Sequence, residues 1–205
     1  MKKKIMFFWA LALILSISSL KAVEFSKVVS LDTYAKAEQH EEKITFSLKS
    51  TKLGFITTDV KGVVRQFSVK GLWNIKKDEI FQVKTSFQVK DMDTDNEGRN
   101  DKMWNKCLSW ETFPQIDLMI AGPILLSQEE ELTTSGVIFL LGKEYPFKTT
   151  VQVTKVDGSQ PTQWLIEGKS QLSLKDLHIP DPSIFIARVH DDVLVEWKIM
   201  LKKSE

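Results

Sequence analysis

The sequence predicts an all-β fold, an antiparallel barrel of eight or so strands with one short helix at about residues 100–110 and a loop or helical turn over the mouth at about 180–191. Three observations carry the prediction. Apolar and polar residues alternate along most of the chain, polar turns separate the alternating runs, and 205 residues with a single cysteine must be held by a core rather than by disulfides. Long strands with one apolar face must bury it, and a sequential meander of this number does so most simply by closing on itself.

The first segment stands apart. Lys2, Lys3 and Lys4 precede an uncharged run from Ile5 to Leu20, and Ala22 closes a small-residue stretch before Val23 and Glu24. These are the three parts of a secretory signal peptide, with cleavage expected near Ala22. The run is shorter than the roughly 20 apolar residues of a spanning helix and contains Ser16, Ser18 and Ser19, so no stable membrane span is expected after cleavage. The expected organisation is therefore a signal peptide, residues 1–22, and one barrel domain, residues 23–205, delivered to the periplasm or secreted. Charge follows the same division. The whole chain carries 28 Lys and Arg against 27 Asp and Glu; 28 less Lys2, Lys3, Lys4 and Lys21 leaves 24 bases against 27 acids, a net charge near −3. With no basic patch, nucleic acid is not an expected partner.

The strands follow in order. Val23–Leu31 comes first, then Ile44, Phe46, Leu48, and then Phe67, Val69, Gly71, Trp73. Phe81 to Lys90 alternates without a break over ten residues, Phe, Val, Thr, Phe, Val against Gln, Lys, Ser, Gln, Lys. Between Arg99 and Trp110 the period changes: Met103, Trp104, Cys107 and Leu108 fall at i, i+1, i+4 and i+5, with Asn100 or Asp101 to cap, which reads as the short helix. Alternation returns in Ile116–Ile120, Leu132–Leu141, Phe147–Val153, Trp164–Leu174 and Val193–Leu201. The polar stretches Lys76–Glu79, Gly142–Glu144 and Asp157–Pro161 read as turns, so neighbouring strands are expected to pair in sequence order. Pro180 and Pro182 bar a central strand, leaving Ile184, Phe185, Ile186 and Val189 to a segment over the mouth.

Few residues suggest chemistry. The loop Asp91–Gly98 begins like a calcium loop, but Asn96 stands where the turn needs Gly and Lys102 where a bidentate Glu is needed. His40, His178 and His190 are far apart with no metal-ligand spacing, Cys107 lies on the inner helix face without a partnered His, and the glycines form no phosphate cradle. No metal, cofactor or catalytic group is expected. Aromatic residues are the conspicuous class: Trp73, Trp104, Trp110, Trp164, Trp197 and many phenylalanines, more than half of them on the apolar faces of the expected strands. A barrel of this size is either filled or holds one small ligand.

One run of motifs resembles a known family. Asp93–Thr94, then Arg99–Asn100–Asp101–Lys102–Met103, then Phe113–Pro114–Gln115–Ile116 is similar to the Thr…Arg-Asp-x-His-Met…aromatic-Pro-x-Ile signature of the YceI-like family. The hairpin Leu132–Phe147 and the terminal Leu174–Pro180 and Val189–Val193 resemble the family's later segments, so the resemblance spans about residues 25 to 202. Asn100 departs from the family's Asp, Lys102 from its His and His178 from its Gly. The resemblance implies an exported barrel of lipocalin-like shape that binds a polyisoprenoid or other long-chain lipid, with Thr94 and Arg99 as head-group or structural contacts. Strand parity and the two cover segments select the wall of the apolar pocket: Phe46, Phe55, Phe67, Phe87, Met103, Trp104, Phe113, Phe139, Phe147 and Phe185. The expected partner is a polyisoprenoid, isoprenoid quinone or fatty acyl ligand carried or stored in the interior. The competing readings are a structural or stress-related exported protein with a filled barrel, and an enzyme using Asp101, His178 or His190. A homodimer formed through an exposed strand edge or apolar patch is compatible with the pattern without being read from it.

Overall fold

The computed structural model describes residues 22–156 and 162–203. The expected leader therefore lies outside the described residues except for Ala22, as does the expected turn Asp157–Pro161.

Twelve strands form one antiparallel sheet: β1 (Ala22–Ser30), β2 (Lys43–Lys52), β3 (Ile56–Val64), β4 (Gln66–Asn74), β5 (Glu79–Gln88), β6 (Met92–Asp93), β7 (Gln115–Ile120), β8 (Ile124–Leu125), β9 (Leu132–Leu140), β10 (Lys143–Lys155), β11 (Gln163–Ser173) and β12 (Ala187–Lys202). The order is β1-β4-β5-β7-β9-β10-β11-β12-β2-β3-β6, with β8 pairing β5. The fold is thus the antiparallel barrel expected, a sheet curled round a single interior. Among the described residues two short α-helices accompany it, besides a 3-10 turn at Val89–Asp91. Thr33 caps α1 (Tyr34–Gln39), and Asn96 caps α2 (Glu97–Asp101), which runs into a π-helical turn at Lys102–Cys107. The second is the helix expected at 100–110; the first is additional.

Pairing in sequence order holds from β4 to β12 apart from the two short strands, and fails on either side of that meander. β1 pairs with β4 rather than β2, and the β2–β3 hairpin joins the far edge at β12. The reason lies in β3, a strand not foreseen because Thr57, Thr58, Asp59 and Lys61 obscure its alternation. β3 and β4 form one run of chain bent at Arg65, its first half bonded to β2 and its second to β5, so both ends of the curl meet on it. Arg65 ties that corner to its surroundings: its N–H donates to Asp91 O at 2.8 Å, its carbonyl accepts Leu31 N–H at 2.9 Å, and its guanidinium reaches Asp93 at 3.5 Å and Lys90 O at 3.2 Å. Nearby, the Lys27 ammonium of β1 contacts Glu42 at 2.5 Å and Met200 O at 3.0 Å, while Glu42 accepts Met200 N–H at 2.7 Å. A carboxylate thus continues the ladder just before β2 begins.

The segment expected over the mouth at 180–191 divides. Residues through Ile186 form a loop, closed by reciprocal 2.9 Å bonds between Ile184 and Ala187, and the rest belongs to β12. There the register against β2 shifts between Val189 and Val193, an irregularity that periodicity could not anticipate.

Candidate functional site

The inner face of the sheet surrounds one cavity of about 620 Å³, within the ~300–1,000 Å³ usual for small-molecule sites. Its wall is mostly aliphatic: Ile44 and Leu48 of β2, Ile116, Leu118 and Ile120 of β7, and Val193, Val195 and Ile199 of β12 line it. One end is shut. Trp73 and Trp164 meet edge to face at 5.3 Å, with Ile80, Ile124, Leu126 and Leu201 buried around them. The other end opens, because the exposed lining residues Lys52, Thr58, Asp59, Asn96 and Arg99 gather where β2 ends, β3 begins and α2 crosses.

Rings in the wall are laid flat by glycines directly opposite. Trp197 pairs with Gly168, Phe46 with Gly62 and Phe147 with Gly136. A Cβ would stand 2.0 Å from the Trp197 ring at Gly168, 2.2 Å from the Phe46 ring at Gly62 and 2.6 Å from Phe147 at Gly136. Each ring therefore covers the bare backbone of the next strand instead of standing into the lumen. This keeps the interior open.

The mouth is organised by one buried amide. Asn100 Oδ1 accepts the Thr94 N–H at 2.8 Å and the Thr94 hydroxyl at 2.7 Å, and its Nδ2 donates to Asp93 at 2.8 Å. Arg99 donates to the Thr94 carbonyl at 2.6 Å and to its hydroxyl oxygen at 3.3 Å. Thr94 and Arg99 both line the cavity, so the pair fixes the loop while the remaining guanidinium donors face the opening. Lys102, also in the lining, donates to Pro182 O and so ties the helical turn to the mouth loop. Among the described residues the ion pairs leave Arg99 and Lys102 without a carboxylate. Cys107 faces the cavity, and burial pushes its thiol up, with Asp181 acting in the same direction and Lys102 against it. Asp101, His178 and His190 are exposed and line no part of the cavity.

Of the ten expected wall residues, Phe46, Phe87, Met103 and Phe147 line the cavity. Six do not. Phe67 is buried within the core without reaching the cavity surface. Trp104 turns to the outer side of its helix, its Nε1 donating to Met92 O at 2.9 Å and its ring under the Lys90 ammonium, which also caps Trp110. Phe113 packs over the turn at Gly142. Phe139 faces outward between the inward Ile138 and Leu140; both parities of β9 are apolar, so alternation could not choose between them. Phe55 and Phe185 stand exposed at the rim. The lining residues overlooked are Trp197 and the same-parity aliphatics of β2, β7 and β12. Their alternation is visible in the sequence, but period two does not tell which apolar side chains reach the lumen.

Fold and site together define an antiparallel barrel curled round an apolar cavity that opens at one end, a class whose interior is either filled or holds one small ligand. The chain belongs to the YceI-like domain family, whose profile matches residues 35–201. Three solved structures share the fold. BcnA from Burkholderia cenocepacia is 13% identical, with 78% of this chain and 96% of that chain covered at a TM-score of 0.62. A polyisoprenoid binding domain from Saccharophagus degradans, implicated in plant cell wall breakdown, is 12% identical over 80% of this chain and 98% of that one, TM-score 0.56. The Campylobacter jejuni YceI protein is 12% identical over 72% and 87%, TM-score 0.56. Among curated proteins none matches.

Proposed function

We propose that this protein is exported, and that it holds one long-chain apolar ligand of polyisoprenoid, isoprenoid quinone or fatty acyl type in the barrel, as a carrier or store rather than as an enzyme. The observation that carries the reading is the open, aliphatic cavity of about 620 Å³ with one mouth. A filled barrel would need the rings at Phe46, Phe147 and Trp197 to stand inward, and they lie flat. The polyisoprenoid binding domain that shares the fold supports the ligand class, and the basic, then apolar N-terminus supports export.

Affinity sets a requirement on the ligand. Ten buried methylenes contribute about 8 kcal/mol at ~0.8 kcal/mol each, whereas nanomolar binding needs about 12 kcal/mol. A longer chain or a head-group contact supplies the difference. Arg99 and Lys102 at the mouth favour a head that carries negative charge or accepts hydrogen bonds.

The test is lipid extraction and mass spectrometry of the protein recovered from its native compartment, with the N-terminus read from the intact mass. One apolar ligand per chain and a mass lacking about 22 residues are expected. Recovery of no such ligand, together with no uptake of a fluorescent long-chain lipid, would reject the binding reading.

A further inference from the structure

Phe55 and Phe185 do not line the cavity, and where they stand instead has its own logic. Phe55 is 77% exposed, Phe185 106%, and each has apolar neighbours that are exposed too: Leu53 and Ile56 at the β2–β3 turn, Ile184 and Ile186 on the loop before β12. The two turns are joined, because Leu53 N–H donates to Ile186 O at 3.0 Å and Lys52 pairs with Ala187. Half of the exposed large apolar side chains of the described residues thus share one rim, which scattered surface hydrophobics would not do. Lys52 and Ile184 also line the cavity, so this rim is the edge of its mouth.

The backbone supports a role for the display. Leu53 holds φ at 50° beside Gly54 at 82°, a left-handed turn position that Asn or Gly fills at lower cost than Leu. An apolar side chain is kept there despite the strain. The six side chains project from two convex turn tips rather than lining a groove, a shape that enters a deformable phase. Lys52, Lys102 and Arg188 surround the tips, with Asp181 on the loop before β12; Lys49 lies further back, opposite Asp59 and the β12 irregularity that holds Asp191 and Asp192.

We propose that this rim docks the protein, mouth down, on the surface of a phospholipid bilayer. Phe55 and Phe185 enter the boundary between headgroups and acyl chains, and Lys52 and Arg188 lie at headgroup level, where anionic lipids attract them. The cavity then opens onto the lipid phase, and an apolar chain passes between bilayer and barrel without crossing water. Docking does not require the cavity to be loaded and goes beyond the ligand reading.

The buried Cys107 leaves an I186C variant open to a polarity-sensitive thiol label at the rim alone, and K76C places the same label at the shut end. With vesicles of phosphatidylethanolamine and phosphatidylglycerol, the label at 186 is expected to shift to the blue and become shielded from iodide, while the label at 76 stays in water. The Phe55→Ser, Phe185→Ser double variant is expected to lower vesicle partitioning by roughly tenfold or more, from the apolar area withheld. Its uptake of a short-chain fluorescent fatty acid from buffer is expected to remain that of the unchanged protein. A label at 186 that stays in water with vesicles present would overturn the proposal. So would sedimentation showing a dimer that the double variant converts to monomer, which would assign the rim to a second copy of the chain. Failure of the unchanged protein to take up the fatty acid from buffer would count against the ligand reading alone and leave the docking result standing.

Discussion

Asn100 shows how one side chain can settle the local chemistry. It is 6% exposed and spends its oxygen on Thr94 and its amide nitrogen on Asp93. An aspartate, the family's usual residue, would set a second carboxylate against Asp93 here, and one of the two would have to take up a proton. The N100D variant is expected to lose about 2 kcal/mol at neutral pH and to recover part of it as acidification protonates the pair, read from thermal melts at neutral and mildly acidic pH. A melt unaltered by the substitution would show that the amide donor is dispensable. Gly168 makes the opposite kind of contribution, by lacking an atom. With Trp197 2.0 Å from where a Cβ would stand, G168A is expected to cost about 1–3 kcal/mol as an overpacked wall and to alter tryptophan emission, because the ring must lift into the cavity. Neither role was legible in the sequence. In the sequence Asn100 is a departure from a motif and Gly168 carries no signal, since their partners Asp93 and Trp197 become neighbours only through folding.

At the scale of elements, alternation located the long strands because a half-buried strand must repeat every second residue. It failed at β3, whose early residues Thr57, Thr58 and Asp59 lie exposed near the mouth, and on β9, where both faces are apolar. Across β5 and β7, Asp117 accepts from Lys84 at 3.0 Å and Gln115 at 2.8 Å. Burial works to raise its carboxyl, but hydrogen bonds from Ser86, Gln115 and Lys84 and the Lys84 charge outweigh it, so the folded value lies below the usual 3.8. The stabilisation is therefore fully present above the unfolded value and is lost as pH falls through the folded one. The D117N variant is expected to show a shallower loss of stability on acidification below about pH 4, measured by urea denaturation across an acid series. Asp91 works in the opposite sense: burial raises its carboxyl, so its charged form costs stability, and that cost lessens as pH falls through its folded value.

For the whole molecule, the consequence of the curl is a cavity that can be blocked without dismantling the wall. Leu118 faces the lumen from β7, between β5 and β9. L118W is expected to occupy the space a ligand would use and weaken uptake of a fluorescent long-chain lipid by roughly tenfold or more while leaving the near-ultraviolet dichroism of a folded protein. Uptake unchanged in a folded L118W would place the ligand elsewhere. By itself the sequence determined the all-β class, the approximate strand ranges and the apolar character of the interior, because these depend on periods of two and on composition, which are local. Tertiary structure alone decided that β3 and β4 form one bent strand shared by both ends of the sheet, that Phe46, Phe147 and Trp197 lie flat over glycines, and that Phe55 and Phe185 face outward at the mouth. Each of these depends on register and closure, and register brings together residues whose separation along the chain carries no trace of their contact.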